Sequence, residues 1–153
     1  MTAIILIDGH NLLYALRPRF AAQLVDGHPG TAAREALVAQ LVAVFDQPGQ
    51  VVRVYFDGGE AHAEQRSPQV EVIYPGGAGD QRADRAILAA LPHLGPQRGL
   101  TPFAASQQRG QTPLADAVVV TRDIKLARRA RKRGATVIDP AAFFAECDAG
   151  LIP

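Results

Sequence analysis

Residues 3–11 read Ala-Ile-Ile-Leu-Ile-Asp-Gly-His-Asn. Ile4–Ile7 is an unbroken apolar run, the pattern of a strand buried on both faces of a sheet, where neither face calls for a polar alternate. The run stops at Asp8, so a carboxylate stands at the strand's C-terminal end. Similar runs recur along the chain: Val51–Phe56, Val70–Tyr74, Val118–Val120 followed by Thr121, and the short Ala135–Ile138. Together they predict about five strands.

Helical patterns fill the intervals. Thr31 is placed to cap a helix running to about Phe45, with Leu37, Val38, Leu41, Val42 and Phe45 on one apolar face. Residues 80–91 form a second helix, with Ile87, Leu88 and Leu91 inward and Pro92 beyond its end. A third spans 124–133 and stops at Gly134, a usual C-terminal residue. A last helix opens at Asp139-Pro140, the aspartate capping and the proline taking the first turn. This alternation predicts an α/β three-layer sandwich with a mostly parallel sheet and helices on both faces. The expectation is one domain over 1–153, with a long mobile loop at 92–117, rich in Pro, Gly and Gln.

The composition is that of a soluble globular protein, with 48% hydrophobic and 20% charged residues. A single cysteine, Cys147, cannot form an internal disulfide. No stretch approaches the roughly 20 apolar residues of a membrane span, and the apolar run at the start is too short for a signal peptide. A cytoplasmic location is expected by elimination. The net charge of +1 hides an uneven distribution. Seven of the 16 basic residues lie in 122–133: Arg122, Lys125, Arg128, Arg129, Arg131, Lys132 and Arg133. Asp123 is the only acid among them, so the positive field has one source, which suits a polyanionic partner.

Open α/β sheets bind ligands outside the C-terminal ends of their strands. Asp8 and Asp57 end strands there, and Asp123 lies three residues past Val120. Asp80 and Asp84 are four apart at a helix start, which puts both on one helical face. Carboxylates that converge repel one another unless a cation joins them. Phosphodiester hydrolysis needs such a cation, and Mg²⁺ or Mn²⁺ prefers carboxylate oxygens. Each acid also has a bland alternative. Asp80 could favour a helix N-terminus, Asp57 before Gly58-Gly59 could make a turn, and Asp123 could cap the basic helix. Asp139 is explained by its cap alone and is set aside.

The ordered set Asp8-Gly9-His10-Asn11, Phe56-Asp57-Gly58, Gly79-Asp80 with Asp84, and Thr121-Arg122-Asp123 resembles the NYN domains of the PIN-like nuclease superfamily, in its YacP-like bacterial branch. The resemblance extends from Ile4 to about Ile138. It implies a Rossmann-like, PIN-like sheet and Mg²⁺- or Mn²⁺-dependent cleavage of RNA, often single-stranded; endonucleolytic action is the expectation for this chain. Position by position, Asp8, Asp80 and Asp123 match the acidic metal-site positions, and Asp84 a further acid on the same helix. Asn11 matches the polar residue that steadies the first aspartate, and Asp57 the acid after the second strand. Some members of that branch act on messenger RNA at the ribosome. His10 stands where an aromatic residue is common, and the 92–117 loop is long, which puts a ribosomal partner in doubt.

The mechanism so implied has Asp8, Asp80 and Asp123 holding one ion, with Asp84 or Asp57 holding a second or orienting water. Hydroxide attacks phosphorus in line with the leaving 3′ oxygen and leaves a 5′-phosphate. Thr121 opens the last motif as a supporting hydroxyl. Arg122, Lys125, Arg128, Arg129, Arg131 and Lys132 would hold the RNA backbone, beside a thin apolar stripe of Ile124, Ala127 and Ala130. Arg98 and Arg109 in the loop could close over substrate. Tyr14 and Phe20 are expected in the core, so weak sequence specificity follows. His10, His28, His62 and His93 lack zinc-site spacing, and a turn role suits His10 best.

A non-catalytic or partner-dependent RNA-binding module of the same fold is the alternative in a second class; it would be expected to lose an acid, and none is missing here. An aspartyl phosphatase would want Asp-x-Asp, where position 10 is His. A dinucleotide-binding domain is excluded because Gly9 opens no Gly-x-Gly-x-x-Gly turn. A toxin-type nuclease stays within the favoured class. A homodimer could form through the 92–117 loop or the last helix.

Overall fold

The computed structural model describes residues 3–26, 30–57, 60–76, 82–91 and 116–149. It is an α/β three-layer sandwich around one sheet. The strands are β1 (Ala3–Asp8), β2 (Gln50–Tyr55), β3 (His62–Gln65), β4 (Val70–Tyr74), β5 (Asp116–Val120) and β6 (Thr136–Ile138). The helices are α1 (Gly9–Ala15), α2 (Thr31–Val44), α3 (Arg82–Ala90), α4 (Ile124–Lys132) and α5 (Pro140–Ala149), with a 3-10 segment at Arg17–Gln23.

Across the sheet the order is β3-β4-β2-β1-β5-β6, and every pair is parallel except β3 with β4. There are thus six strands where about five were expected. The additional one, β3, reads His-Ala-Glu-Gln and is exposed along its whole length. It has no apolar face to leave in the sequence, and its place comes from backbone pairing at the sheet edge. Strand β1 is central, with Asp8 level with Tyr55 on one side and Ile7 level with Val120 on the other.

The unbroken run of β1 serves two cores. Ile5 and Ile7 face α1, α2, α5 and the 3-10 segment, where Leu12, Leu37, Leu41, Phe45 and Phe143 are buried. Ile4 and Leu6 face α3 and α4, against Ile87, Leu91, Leu126 and Ala130. Each fully buried Leu, Ile or Phe contributes about 1.5–3 kcal/mol relative to exposure. A central strand sealed on both faces therefore holds its C-terminal residue in a fixed place.

Several local expectations change. Asp8-Gly9-His10-Asn11 opens α1, because Leu12 and Leu13 behind it are fully buried and draw the chain into a helix. Gly30, and not Thr31, takes the N-cap position of α2; Thr31 Oγ1 instead accepts a bond of 3.0 Å from Arg34. Phe20 is buried as expected, but Tyr14 is 48% exposed. On α4 the inward residues are Leu126, Ala127 and Ala130, while Ile124 is 73% exposed. Strand β5 begins at Asp116, inside the segment expected as loop; residues 92–115 lie outside the described residues. Cys147 is buried in α5, and burial pushes its thiol up to about 11. Among the described residues no helix is long and apolar enough to cross a membrane.

The turn from β1 into α1 is tight. A Cβ at Gly9 would run into the Phe56 ring and come within 2.9 Å of the Tyr55 carbonyl oxygen. Gly9→Ala is expected to lower stability by about 1–3 kcal/mol through overpacking. Gly30→Ala, where nothing lies within 4 Å, is expected to cost less. Urea denaturation of both variants checks the difference.

Candidate active site

Strand order reverses at β1: the chain winds outward through β2 and β4, then returns to place β5 on the other side. Connections leave β1 and β5 toward opposite faces and open a crevice at their C-terminal ends. Asp8 and Thr121 stand at its base, with 6% and 2% of their surfaces exposed, the only buried polar residues among those described.

A hydrogen-bond lattice ties the two strand ends together. Thr121 Oγ1 lies 3.4 Å from Asp8 Oδ2 and 3.3 Å from Asn11 Oδ1, and accepts from the Asp123 N–H at 3.1 Å. The Arg122 N–H donates to Asn11 Oδ1 at 2.6 Å. Asn11 thus clamps α1 to the loop before α4, and a single threonine proton is shared between two acceptors. The Arg122 side chain pairs with Asp139 through two bonds of 2.8 and 3.1 Å. Asp139 in turn caps α5 by accepting from the Ala141 N–H at 2.9 Å.

The carboxylates fall into distinct situations. Asp8 is pushed up to about 7, first by burial, then by the charge of Asp84 and, more weakly, of Asp57; the Asn11 backbone N–H opposes this. Asp84 is also raised, by burial and then by Asp123, while its hydrogen bond with Asp8 and the nearby Arg129 pull it down. Burial and like charge thus act in the same direction on both groups and favour a proton at Asp8, the more buried of the two. Asp123 caps α4, its Oδ1 accepting from the Lys125 and Leu126 N–H groups at 2.8 and 3.1 Å. Its other oxygen makes no hydrogen bond among the described residues. Asp57 does structural work: its Oδ1 accepts from the Ala83 N–H at 2.7 Å and so fixes the start of α3, one residue before Asp84.

His10 belongs to that support. Its Nδ1 accepts from the Asp57 N–H at 3.3 Å, and its ring meets Phe56 edge-on at 5.4 Å. Burial and Arg34 lower its pKa. The ring is thus neutral with its proton on Nε2, and it serves as an acceptor. His62 lies on β3, stacked on Tyr74 at 4.5 Å, away from the crevice. Asp80, His28, His93, Arg98 and Arg109 lie outside the described residues.

Among the described residues no three His, Cys, Asp or Glu side chains form a ready-made cation site. The donor chemistry nevertheless fits a hard divalent ion. Asp8 and Asp84 are both raised, each by burial and by Asp57, Asp8 also by Asp84 and Asp84 also by Asp123, and Arg129 is the one cation that lowers either. Mg²⁺ commonly takes one or two carboxylates and keeps several waters.

The basic helix is divided by its packing. Lys125 and Arg129 face α3 and line a cleft with Asp84 and Arg85; Arg131 lies on the other side with Ile124, Arg122 and Asp139. Arg85 escaped the sequence analysis because it sits outside the basic stretch. Its signal was adjacency to Asp84 on an amphipathic helix.

Residues 5–150 match the family model described as YacP-like NYN domain. Two crystal structures of Rae1 (YacP) from Bacillus subtilis, one of them of a point mutant, share the fold with a TM-score of 0.66. They are 19% and 20% identical to the chain, over 96% and 97% of its length and 75% of theirs. No curated protein sequence matches it.

Two outcomes follow from the geometry. Asp57→Asn retains an oxygen acceptor for the Ala83 N–H and is expected to keep nearly full stability, whereas Asp57→Ala loses about 1–3 kcal/mol, as a buried donor left without its acceptor does. Chemical denaturation separates the two. The second concerns Asp8, whose carboxyl ionises near 3.8 in an unfolded chain and near 7 here. Between these values the folded state binds more protons, so stability falls as pH rises from about 4 to about 7 and is flat beyond. In EDTA, Asp8→Asn is expected to melt above the unsubstituted protein at pH 8, the gap closing toward pH 4; an equal melting temperature at pH 8 would contradict it.

Proposed function

Because the chain belongs to the YacP-like NYN domain family, whose fold is of a nuclease type, we propose that it is a metal-dependent endoribonuclease acting on single-stranded RNA. The observation that carries this reading is the gathering of Asp8, Asp84 and Asp123 at the reversal point of the sheet, near enough that like charge acts between them. Holding carboxylates this close disfavours the protein by itself, and a divalent cation among them removes the conflict.

In this reading Asp8, Asp84 and Asp123 hold Mg²⁺ or Mn²⁺, with Asp80 as a further ligand from the segment before α3. When bound, such an ion offsets charge on the phosphoryl oxygens and makes water more acidic. The chain's own residues do the rest. Thr121 and Asn11 hold the Asp8 carboxylate and the Asp123 loop in register. Asp57, steadied by His10, sets the position of α3 and hence of Asp84. Cations of α4 hold the RNA backbone at the crevice. With His10 serving as a neutral acceptor, proton transfer falls to the carboxylates and water.

A labelled single-stranded RNA incubated with Mn²⁺, with Mg²⁺ and with EDTA tests the proposal. Cleavage is expected only with metal, giving 5′-phosphate ends, and is expected to fall at least a hundredfold in Asp8→Asn, Asp84→Asn and Asp123→Asn. Metal-independent cleavage, or cleavage that survives all three substitutions, would sink it. Binding of RNA without cleavage would favour a non-catalytic or partner-dependent module of the same fold.

A further inference from the structure

Most arginines outside α4 are spoken for. Arg19 pairs with Asp148, Arg53 with Glu71, Arg66 with Glu35 and Arg122 with Asp139. Arg133, at the end of α4, donates to the Leu88 carbonyl oxygen at 2.8 Å. Arg85, Lys125 and Arg129 differ: among the described residues none of them enters a salt bridge, yet all three line one cleft between α3 and α4. Its volume is about 240 Å³, its floor is Leu88 and Leu126, and Asp84 is its one acid.

Three like charges converging on a cleft repel one another, and Asp84 alone does not balance them. The helices impose the convergence. On α3, Arg85 and Leu88 are three apart; on α4, Lys125 and Arg129 are four apart, so each helix turns a cation toward its neighbour beside a buried leucine. The floor is apolar and the rim positive, with no aromatic ring in the lining to stack a base. Arginine forks match the paired oxygens of a phosphate, with lysine adding a point charge. Because Asp84 belongs both to this cleft and to the carboxylate cluster, an anion held here sits next to the cluster.

We propose that Arg85, Lys125 and Arg129 form a subsite for the backbone phosphate that neighbours the scissile one in a bound RNA strand. The proposal rests on the nuclease reading above and adds a direction to it. The strand crosses the α3 side of α4, and α3 contributes to RNA binding as well as α4.

The test is equilibrium binding of a fluorescein-labelled single-stranded RNA by anisotropy, in EDTA and across a range of salt concentrations. The full chain would be compared with Arg85→Gln, Arg129→Gln and Arg17→Gln. Arg17 is an exposed cation of the 3-10 segment, on the opposite face of the sheet. Each cleft variant is expected to weaken binding several-fold and to reduce the slope of log K against log salt by roughly 0.7, one contact on a single strand. Arg17→Gln is expected to leave both unchanged, and Arg85→Lys to restore part of the loss. Binding by the cleft variants with an unaltered salt slope would overturn the subsite while leaving the nuclease reading intact. Failure of the unsubstituted chain to bind RNA at all would overturn both.

Discussion

Asp8 leaves β1 at the point where the sheet's winding reverses, between the ends of β2 and β5, and only 6% of its surface reaches solvent. A carboxylate in that position loses most of its hydration, and the protein answers with a threonine hydroxyl and one backbone N–H, not with a lysine or arginine. The nearest strong influences are other acids. Burial and like charge thus act in the same direction, and the result is a carboxyl that stays protonated near neutrality. The rest of the site is arranged around that imbalance.

Around Asp8 the support comes from three separate regions of chain. Asn11 reaches from α1 to the Arg122 backbone, 111 residues away in sequence; Thr121 bridges 113 residues to Asp8. Asp57 bonds the first turn of α3, and His10 holds Asp57 from behind. Each bond is modest alone, about 0.5–1.5 kcal/mol net. As a lattice they are coupled, so that displacing one loop would misplace carboxylates on the others. Charge is sorted as well: among the described residues Arg19, Arg53, Arg66 and Arg122 pair with acids, whereas Arg85, Lys125 and Arg129 enter no salt bridge and meet where α3 packs beside α4.

Much of the fold was legible. Buried parallel strands announce themselves as apolar runs, and Gly134 and Asp139-Pro140 punctuate the chain where their backbone chemistry says they should. The positions of Asp8 and Asp123 followed from strand ends alone. Strand β3 was invisible because an exposed edge strand of His-Ala-Glu-Gln has no face to mark it. Helix α1 was missed because seven residues are too few to show a period. Tyr14 was placed inside on its chemistry, whereas Leu12 and Leu13 already fill that face of α1. For Asp57 the sequence left open a turn, a second ion or an oriented water, and its bond to Ala83 spans 26 residues that no local pattern connects. Likewise Arg85 gains its meaning only when α4 packs beside it.

Strand order has a consequence for the history of each molecule. The central pair β1–β5 joins the first strand of the chain to one that begins at Asp116. A polypeptide emerging from the ribosome presents Asp8, Asp57 and Asp84 long before Thr121 and Asp123 have been made. Until then β1 lacks one neighbour, and the crevice has only one wall. N-terminal segments form early during synthesis, but pairing across such a separation must wait for the later strand. The crevice is therefore closed in two stages, its β1 side made early and its β5 side only after residues 116–123 have been added.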